Sequence, residues 1–505
     1  MRPFVVFALL LLIPSPAAAQ FVPTPIDLVV NYGMTEFHVP GAAVVVVLGD
    51  EVVYCKGYGV RTAGTNQPVT PDTVFAIASC SKAFTATLIA MLVDEGKLKW
   101  DDKVHDHLDY FRLSDELADR EVTLRDLLCH RTGMPRHDML WAGYCSETED
   151  LIRRWGKARN STSFRSTWEY SNVPFTTAGV IAGKLDKTDW AGATKTRIFD
   201  PLGMTNSSGR LKDALANPDH ATPHYLHFDK SVSPVAWDDV DFLGGAGNVS
   251  SSARDMGQWL RFQLSLGRNG EKRLVKLAAL KETHAQQMLF KPTGAFASFF
   301  PPDVTKFSAY GLGWFVTDYR GLVCVSHGGT LGGFRSQCMM LPEKKIGVFV
   351  VANLRPSLFP EAVAKMILDM YLGADMDWVK RHRATQAAGE FEVAVAKAKR
   401  DTTRRADTKP SREPKEYAGT YDDPAYGRAA VTLDGDKLKL SWGRYAFRLE
   451  HYHFDTFTLV PVKVPADTSV GQLDRATFEV QFRLAANGDV ESLQFLGQEF
   501  KRGKP

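Results

Sequence analysis

The sequence predicts an α/β sandwich followed by a small all-β domain. Three patterns carry that reading. Strand-type runs stand at both ends of a first unit, and helical periodicity fills the long stretch between them. Short strand-type runs then return after a charged, proline-containing segment. Outer strands around a helical insertion make one layered unit, and the later short strands make a barrel or sandwich.

Composition narrows the class. The 505 residues are 44% hydrophobic and 24% charged, the balance of a soluble globular protein, which excludes a disordered, collagenous or coiled-coil chain. Lys and Arg total 61 against 58 acidic residues. The resulting charge of +3 gives no global field, so neither nucleic acid nor a membrane surface is expected as a partner. Six cysteines (Cys55, Cys80, Cys129, Cys145, Cys324, Cys338) are too few for a disulfide scaffold, and no C-x-x-C pair occurs. Cys129 with Cys145, and Cys324 with Cys338, are near enough in sequence to bridge if geometry allows.

Taken in chain order, the N-terminus reads as an address. Met1-Arg2 is positive, Phe4 to Ile13 is apolar, and Ala17-Ala18-Ala19 offers small residues for cleavage. These are the parts of a secretory signal over 1–19, which predicts a secreted chain, or a periplasmic one in a bacterium. No later run reaches the ~18 apolar residues of a membrane span. Asn160, Asn206 and Asn248 stand in N-x-S/T sequons, acceptors of glycan in a eukaryotic host.

Ala42 to Leu48, Gly49-Asp50 and Val52 to Tyr58 read as a hairpin. Residues 79–96 show apolar helical spacing with Gly96 as a stop. From about 100 to 240 the pattern is mostly helical with loops. Leu312 to Thr317, Val323 to His327, Arg335 to Leu341 and Ile346 to Asn353 read as strands. Residues 379–413 carry ten Lys/Arg against five acidic residues, helix-forming at first, and read as a solvated linker. Beyond it, Ala429 to Leu433, Lys437 to Trp442, Ala446 to Glu450, Thr456 to Pro461, Ala476 to Leu484 and Glu491 to Leu496 are strand-type. The expected units are therefore 1–19, 20–378, the linker 379–413, and 414–505.

The chemistry begins at Ser79-Cys80-Ser81-Lys82. Ser79 and Lys82 are three apart and share a helix face, so the amine can reach the hydroxyl. A serine becomes a useful nucleophile only when a base takes its proton, and a desolvated lysine can be neutral enough to do so. Ser81, adjacent to Lys82, points elsewhere. Tyr170-Ser171-Asn172 adds a phenol that can relay protons and an amide that can bind lysine and a substrate carbonyl. Ser326-His327-Gly328-Gly329-Thr330 ends a strand, where glycines admit a substrate backbone and a following N–H can face an oxyanion. No G-x-S-x-G, H-E-x-x-H or P-loop occurs, and no cofactor is expected. The spacing of His105, His107, His130, His137, His220, His224 and His227 is too irregular to suggest a metal.

In this order the elements resemble the serine β-lactamase and penicillin-binding-protein superfamily, in its class C-like branch of β-lactamase-related hydrolases, D-aminopeptidases and esterases. Leu127-Leu-Cys-His-Arg-Thr-Gly-Met-Pro135, Ile198-Phe-Asp-Pro-Leu-Gly-Met-Thr205 and His327-Gly-Gly-Thr-Leu-Gly-Gly-Phe334 through Asn353 extend the likeness over roughly 24–375. The tail from 414 resembles a lipocalin-like domain. The resemblance implies a β-lactamase/transpeptidase-like sandwich, an antiparallel sheet plus a helical subdomain. It also implies Ser79 as nucleophile, Lys82 as base, Tyr170 as relay and Asn172 as carbonyl ligand. His327, Gly328, Gly329 and Thr330 would line the substrate site, with the Ser79 and Thr330 N–H groups as oxyanion hole.

Where β-lactamases usually carry Lys-Thr-Gly, this chain has His327-Gly328-Gly329. A histidine with the ordinary pKa of about 6.5 is a weaker carboxylate anchor than lysine. The expectation is a secreted serine hydrolase of small esters or peptides rather than mainly of β-lactams. A non-catalytic binding or assembly protein on the same scaffold is the alternative.

Overall fold

The computed structural model of the chain describes residues 24–463 and 479–503. The leader expected over 1–19 lies outside them. The first unit is built on an eight-stranded, wholly antiparallel sheet. Its strands are β1 (Gly41–Leu48), β2 (Glu51–Gly59), β3 (Met288–Leu289), β4 (Ser308–Tyr310), β5 (Phe315–Tyr319), β6 (Leu322–Leu331), β7 (Phe334–Leu341) and β8 (Ile346–Ala352), in the order β2-β1-β8-β7-β6-β5-β4-β3.

The near-continuous valine run of β1 has a physical cause. Side chains alternate across a strand, and here both faces are covered. Ala42, Val44 and Val46 pack with α1 (Pro25–Phe37) and the helix at Phe359–Leu372, whereas Ala43, Val45 and Val47 face the helical insertion. All six are fully buried. The insertion between β2 and β3 contains α2 (Ser81–Asp94), α3 (Val173–Leu185) and α4 (Ala253–Leu264). Every residue of α2 from Ser81 to Leu92 is buried, so this helix is the axis of the insertion. The Phe359–Leu372 helix, α5, returns over the sheet's other face.

The segment read as a solvated linker, helix-forming at first, is a helix over most of its length and is buried only at its start. Residues Trp378–Thr403 form α6. The charges concealed its first turn, where Trp378, Val379 and His382 at i, i+1 and i+4 are buried on the core. Trp378 Nε1 donates to Asp369 Oδ2 at 2.8 Å, which pins the helix to α5. Past Thr403, Arg404 donates to the Tyr452 carbonyl and Arg412 to the Gly488 carbonyl, so basic side chains fasten the connection to the next unit.

That unit is a closed antiparallel barrel of β9 (Gly419–Asp423), β10 (Gly427–Asp434), β11 (Lys437–Trp442), β12 (Tyr445–His453), β13 (Thr456–Lys463), β14 (Glu479–Leu484), β15 (Val490–Phe495) and β16 (Gln498–Arg502). Leu438, Leu440 and Trp442 alternate inward along β11, as a barrel wall requires. The pairing of Tyr421 with Arg502 closes it. The barrel docks on the π-helical turn Leu140–Tyr144 of the first unit. Gly143 lies under Trp442, where any Cβ would collide with the indole.

All six cysteines are free, which corrects both candidate bridges. In the β6–β7 register Cys338 lies opposite His327, whereas Cys324 falls on the other face of the sheet. Of the sequons, Asn248 is buried, and Asn160 and Asn206 are partly exposed. Among the described residues no helix is long and apolar enough to cross a membrane, and no three His, Cys, Asp or Glu side chains converge as a metal site would require.

Candidate active site

Ser79 lies not in α2 itself but in the 3₁₀ turn Ala78–Cys80 that leads into it. Ala78 has φ +50°, a left-handed conformation that costs energy in a residue with a Cβ and turns the chain sharply before Ser79. The turn is held from three sides. Ser81 Oγ donates to the Ala78 carbonyl at 2.6 Å and accepts from Val249 N–H at 2.9 Å, and Ser336 Oγ donates to the Ile77 carbonyl at 2.7 Å. Gly329 of β6 passes so close that a Cβ would strike the Ile77 carbonyl oxygen. Ser81 is thus the brace of the turn.

Lys82 Nζ is 3.2 Å from Ser79 Oγ, 2.8 Å from Asn172 Oδ1 and 2.7 Å from the Ala246 carbonyl. Tyr170 OH donates to Ser79 Oγ at 3.0 Å from another direction. Burial holds the Lys82 pKa well below that of an ordinary lysine, the Arg136 charge pushes it further down, and Asp138 opposes them. Burial pushes the Tyr170 phenol up to about 12, so it stays protonated and can donate. A neutral amine beside a hydroxyl can take its proton, and the phenol can hold or return one. Asn172 Nδ2 donates to Asp138 Oδ1 at 3.1 Å, which fixes the amide with its oxygen toward Lys82.

His327 is buried beneath this group. Its Nδ1 lies 2.7 Å from the Gly328 carbonyl, which can only accept, so Nδ1 carries the hydrogen and Nε2 accepts from Tyr310 OH at 2.9 Å. Burial, with the nearby Lys82, lowers its pKa to about 3. This corrects the assumption of an ordinary imidazole: the ring is neutral throughout the physiological range. Thr330 Oγ1 accepts from Arg335. Its strand runs alongside the Ser79 turn, so the residues expected from the four motif positions Ser79, Lys82, Tyr170 and His327 do converge.

Other members were not found from the sequence. The Arg136 guanidinium covers the Tyr170 ring and pairs with Asp138 at 2.5 Å. His130, Tyr310 and Trp168 wall the other side of Tyr170 and His327. Arg136 directly follows the Leu127–Pro135 motif, and that adjacency is the only available signal. Ser79 borders two cavities. The first, about 180 Å³, passes His327 and Gly328 to Glu361 and Lys365 of α5. The second, about 190 Å³, lies between Asp138, Val240, Leu331 and the barrel residues Arg444 and Tyr445.

Residues 26–369 match the Beta-lactamase family. The chain belongs to that family. It is a serine hydrolase of β-lactamase fold rather than the non-catalytic scaffold left open by the sequence. Residues 403–503 match a domain of unknown function, DUF3471, which spans the barrel. Similar proteins include an unguisins hydrolase of Aspergillus campestris, 29% identical over 91% of this chain and 86% of that protein. Another, from Aspergillus violaceofuscus, is 27% identical over 86% and 82%. Protein flp of Staphylococcus aureus is 25% identical over 67% of this chain and 64% of its own. Among solved structures, the octameric penicillin-binding protein homologue from Pyrococcus abyssi superposes with a TM-score of 0.60 at 22% identity, covering 94% and 98% of the two chains. SurE does so at 0.56 and 19%, covering 95% and 98%. Both share the fold of this Beta-lactamase family member.

Proposed function

We propose that this protein is a secreted hydrolase that forms an acyl-enzyme on Ser79 and acts on small esters or peptides rather than mainly on β-lactams. The observation that carries the reading is Ser79 Oγ set between the Lys82 amine at 3.2 Å and the Tyr170 phenol at 3.0 Å, with the amine's pKa depressed by burial. Lys82 takes the hydroxyl proton as Ser79 attacks the carbonyl, and Tyr170 passes a proton to the leaving group. The Ser79 and Thr330 N–H groups face the developing oxyanion, and Asn172 assists at the carbonyl. Neutral His327 and side-chain-free Gly328 supply neither the cation nor the hydroxyl of a Lys-Thr pair, and the Arg335 cation beside Thr330 is already engaged by Glu361, which argues against β-lactams. The two Aspergillus relatives are unguisins hydrolases, which agrees with a hydrolytic reading. Secretion rests on the signal-like residues 1–19. We assign the barrel hairpin the task of limiting substrate size at the second cavity.

The test is intact-mass profiling after a fluorophosphonate probe, together with a panel of esters, D-amino-acid peptides and β-lactams. Labelling at Ser79 with turnover of esters or peptides is expected. Loss on the order of 10²–10⁴-fold is expected in Lys82→Ala. Unchanged burst kinetics in that variant would remove lysine as the base.

A further inference from the structure

The first cavity ends on two groups that the proposed acyl transfer does not use. Glu361 is 2% exposed, and its two carboxylate oxygens are treated unequally. Oε1 accepts from Arg335 Nε at 2.7 Å and also from Arg335 Nη2, whereas Oε2 is buried with no hydrogen-bond partner among the described residues. Lys365 is 5% exposed. Its ammonium donates to the Phe299 carbonyl at 2.9 Å and lies 4.4 Å from the centre of the Trp378 ring. With the carbonyl meeting one N–H and the ring face another, a third is left without a hydrogen-bond acceptor among the described residues. A buried acceptor and a buried donor left unmade on one cavity wall are each costly unless something else meets them.

The path to them is open because of the unusual third motif. Gly328 faces this cavity, and a Cβ there would stand 3.7 Å from Glu361 Oε1 and 2.8 Å from Gln337 Oε1. A threonine at this place would fill the approach. Phe300 and Phe315 line the cavity that Ser79 also borders, so apolar ring surface stands beside its polar groups.

We propose that this cavity binds an amide group in the acyl portion of the substrate, its carbonyl accepting from Lys365 and its N–H donating to Glu361 Oε2. Other ligand chemistries fit less well. A carboxylate could meet Lys365 but would set its charge against Glu361 Oε2, while Arg335 is held on Glu361 Oε1 and Thr330 Oγ1, and an alkylammonium would set its charge against Lys365. A hydrocarbon chain would leave both groups unpaired. A neutral amide satisfies one donor and one acceptor at once. The preferred acyl donor is therefore peptidyl, with an apolar spacer between the reacting carbonyl and a second amide. The orientation toward Ser79 rests on the acyl-enzyme reading above, but the amide site does not.

The test uses the full chain and p-nitrophenyl esters of N-acetyl-ω-amino acids with one to four methylenes, each beside its all-carbon isostere. At one spacer length the amide-bearing ester should have the higher kcat/KM, by ~10–150-fold for charge-assisted hydrogen bonds. Lys365→Met and Glu361→Gln should each reduce that ratio. Gly328→Thr should abolish it by closing the passage, and it decides the matter if the other two fail to fold. In parallel, Ser79→Ala protein is titrated with the N-acetyl-ω-amino acid amides by calorimetry, with and without Lys365→Met. Binding that weakens in the double variant supports the amide site even if the wild type cleaves no ester, in which case only the acyl-enzyme reading falls. Absence of a preference at every spacer length, or a ratio and affinity unmoved by the substitutions, overturns the proposal.

Discussion

The Arg136 guanidinium carbon stands 4.9 Å from the centre of the Tyr170 ring. The same cation disfavours protonation of Lys82. Removing it in Arg136→Met relieves that repulsion and leaves Asp138 to favour the charged amine. The Lys82 pKa then rises, more of it is protonated at a given pH, and the base is lost. The acidic limb of the kcat/KM profile should move to higher pH, with slower turnover at pH 7. A limb that stays in place would separate Arg136 from the tuning of Lys82.

Ser79 and Ser81 should separate cleanly by substitution. Ser79→Ala removes one partly buried hydroxyl and should lose probe labelling and turnover by ~10⁴-fold or more with little change in Tm. Ser81→Ala removes the brace between Ala78 and Val249, leaving buried groups unpaired at ~1–3 kcal/mol. It should lower Tm while retaining some labelling. If Ser81→Ala abolished labelling and Ser79→Ala did not, the nucleophile assignment would be reversed.

His327 should be silent to pH in the working range. Its folded pKa is about 3 against an ordinary 6.5, so between those values the unfolded chain binds a proton that the folded chain does not. Stability is lost as pH falls through that window, and His327→Gln should flatten part of the loss in urea titrations at pH 4–6.5. The ratio of kcat/KM for a neutral ester and a carboxylate-bearing analogue should not follow a histidine titration between pH 6 and 8. A clear inflection near 6.5 that vanishes in His327→Gln would show a charged ring at work.

Much of this was legible in the sequence because it is local. Ser79 and Lys82 are joined by helical geometry, and the valine run of β1 with Gly49-Asp50 after it announces a hairpin. Arg136, Tyr310, Glu361 and Lys365 were not legible, because each reaches the cleft through tertiary packing. At the head of the charged stretch 379–413, charge density hid a buried turn formed by Trp378, Val379 and His382. The strands that close the barrel, β9 and β16, are short and polar on their outer faces, so β periodicity stood out only between them. The bridge imagined between Cys324 and Cys338 failed on a parity that becomes visible only with the register.

Gly329 should tolerate no side chain. Its Cβ would enter the space of the Ile77 carbonyl, a backbone atom that cannot swing aside. Gly329→Ala must push β6 away from the Ser79 turn, with overpacking of ~1–3 kcal/mol. The expected result is a lower Tm together with a kcat loss larger than the change in KM, since the Thr330 N–H moves with the strand. A fully active Gly329→Ala of unchanged Tm would mean that the strand and turn can shift freely.

The barrel should act on the second cavity through one hairpin. Arg444 N–H donates to the Gly143 carbonyl at 3.1 Å, and Tyr445 OH donates to the Ala142 carbonyl at 3.0 Å, so the tip is seated on the turn that follows Asp138. From there both side chains wall a cavity that Ser79 also borders. If that wall limits size, Tyr445→Ala should raise kcat/KM for esters with bulky leaving groups relative to methyl esters. The gain is bounded by the ~1.5–3 kcal/mol that burying one large side chain commonly represents. Trp442 anchors the hairpin over Gly143, so Trp442→Ala should loosen the dock, give the same relaxation and lower Tm. Tyr445 is itself buried and stacked on Trp442, so Tyr445→Ala also lowers Tm, whereas Tyr445→Phe, which keeps the ring and loses only the bond to Ala142, should keep the selectivity, and that contrast distinguishes the wall from the dock. A fall in the bulky-to-small ratio would instead make Tyr445 a contact that attracts large substrates, and an unchanged ratio would leave the hairpin without a part in selection.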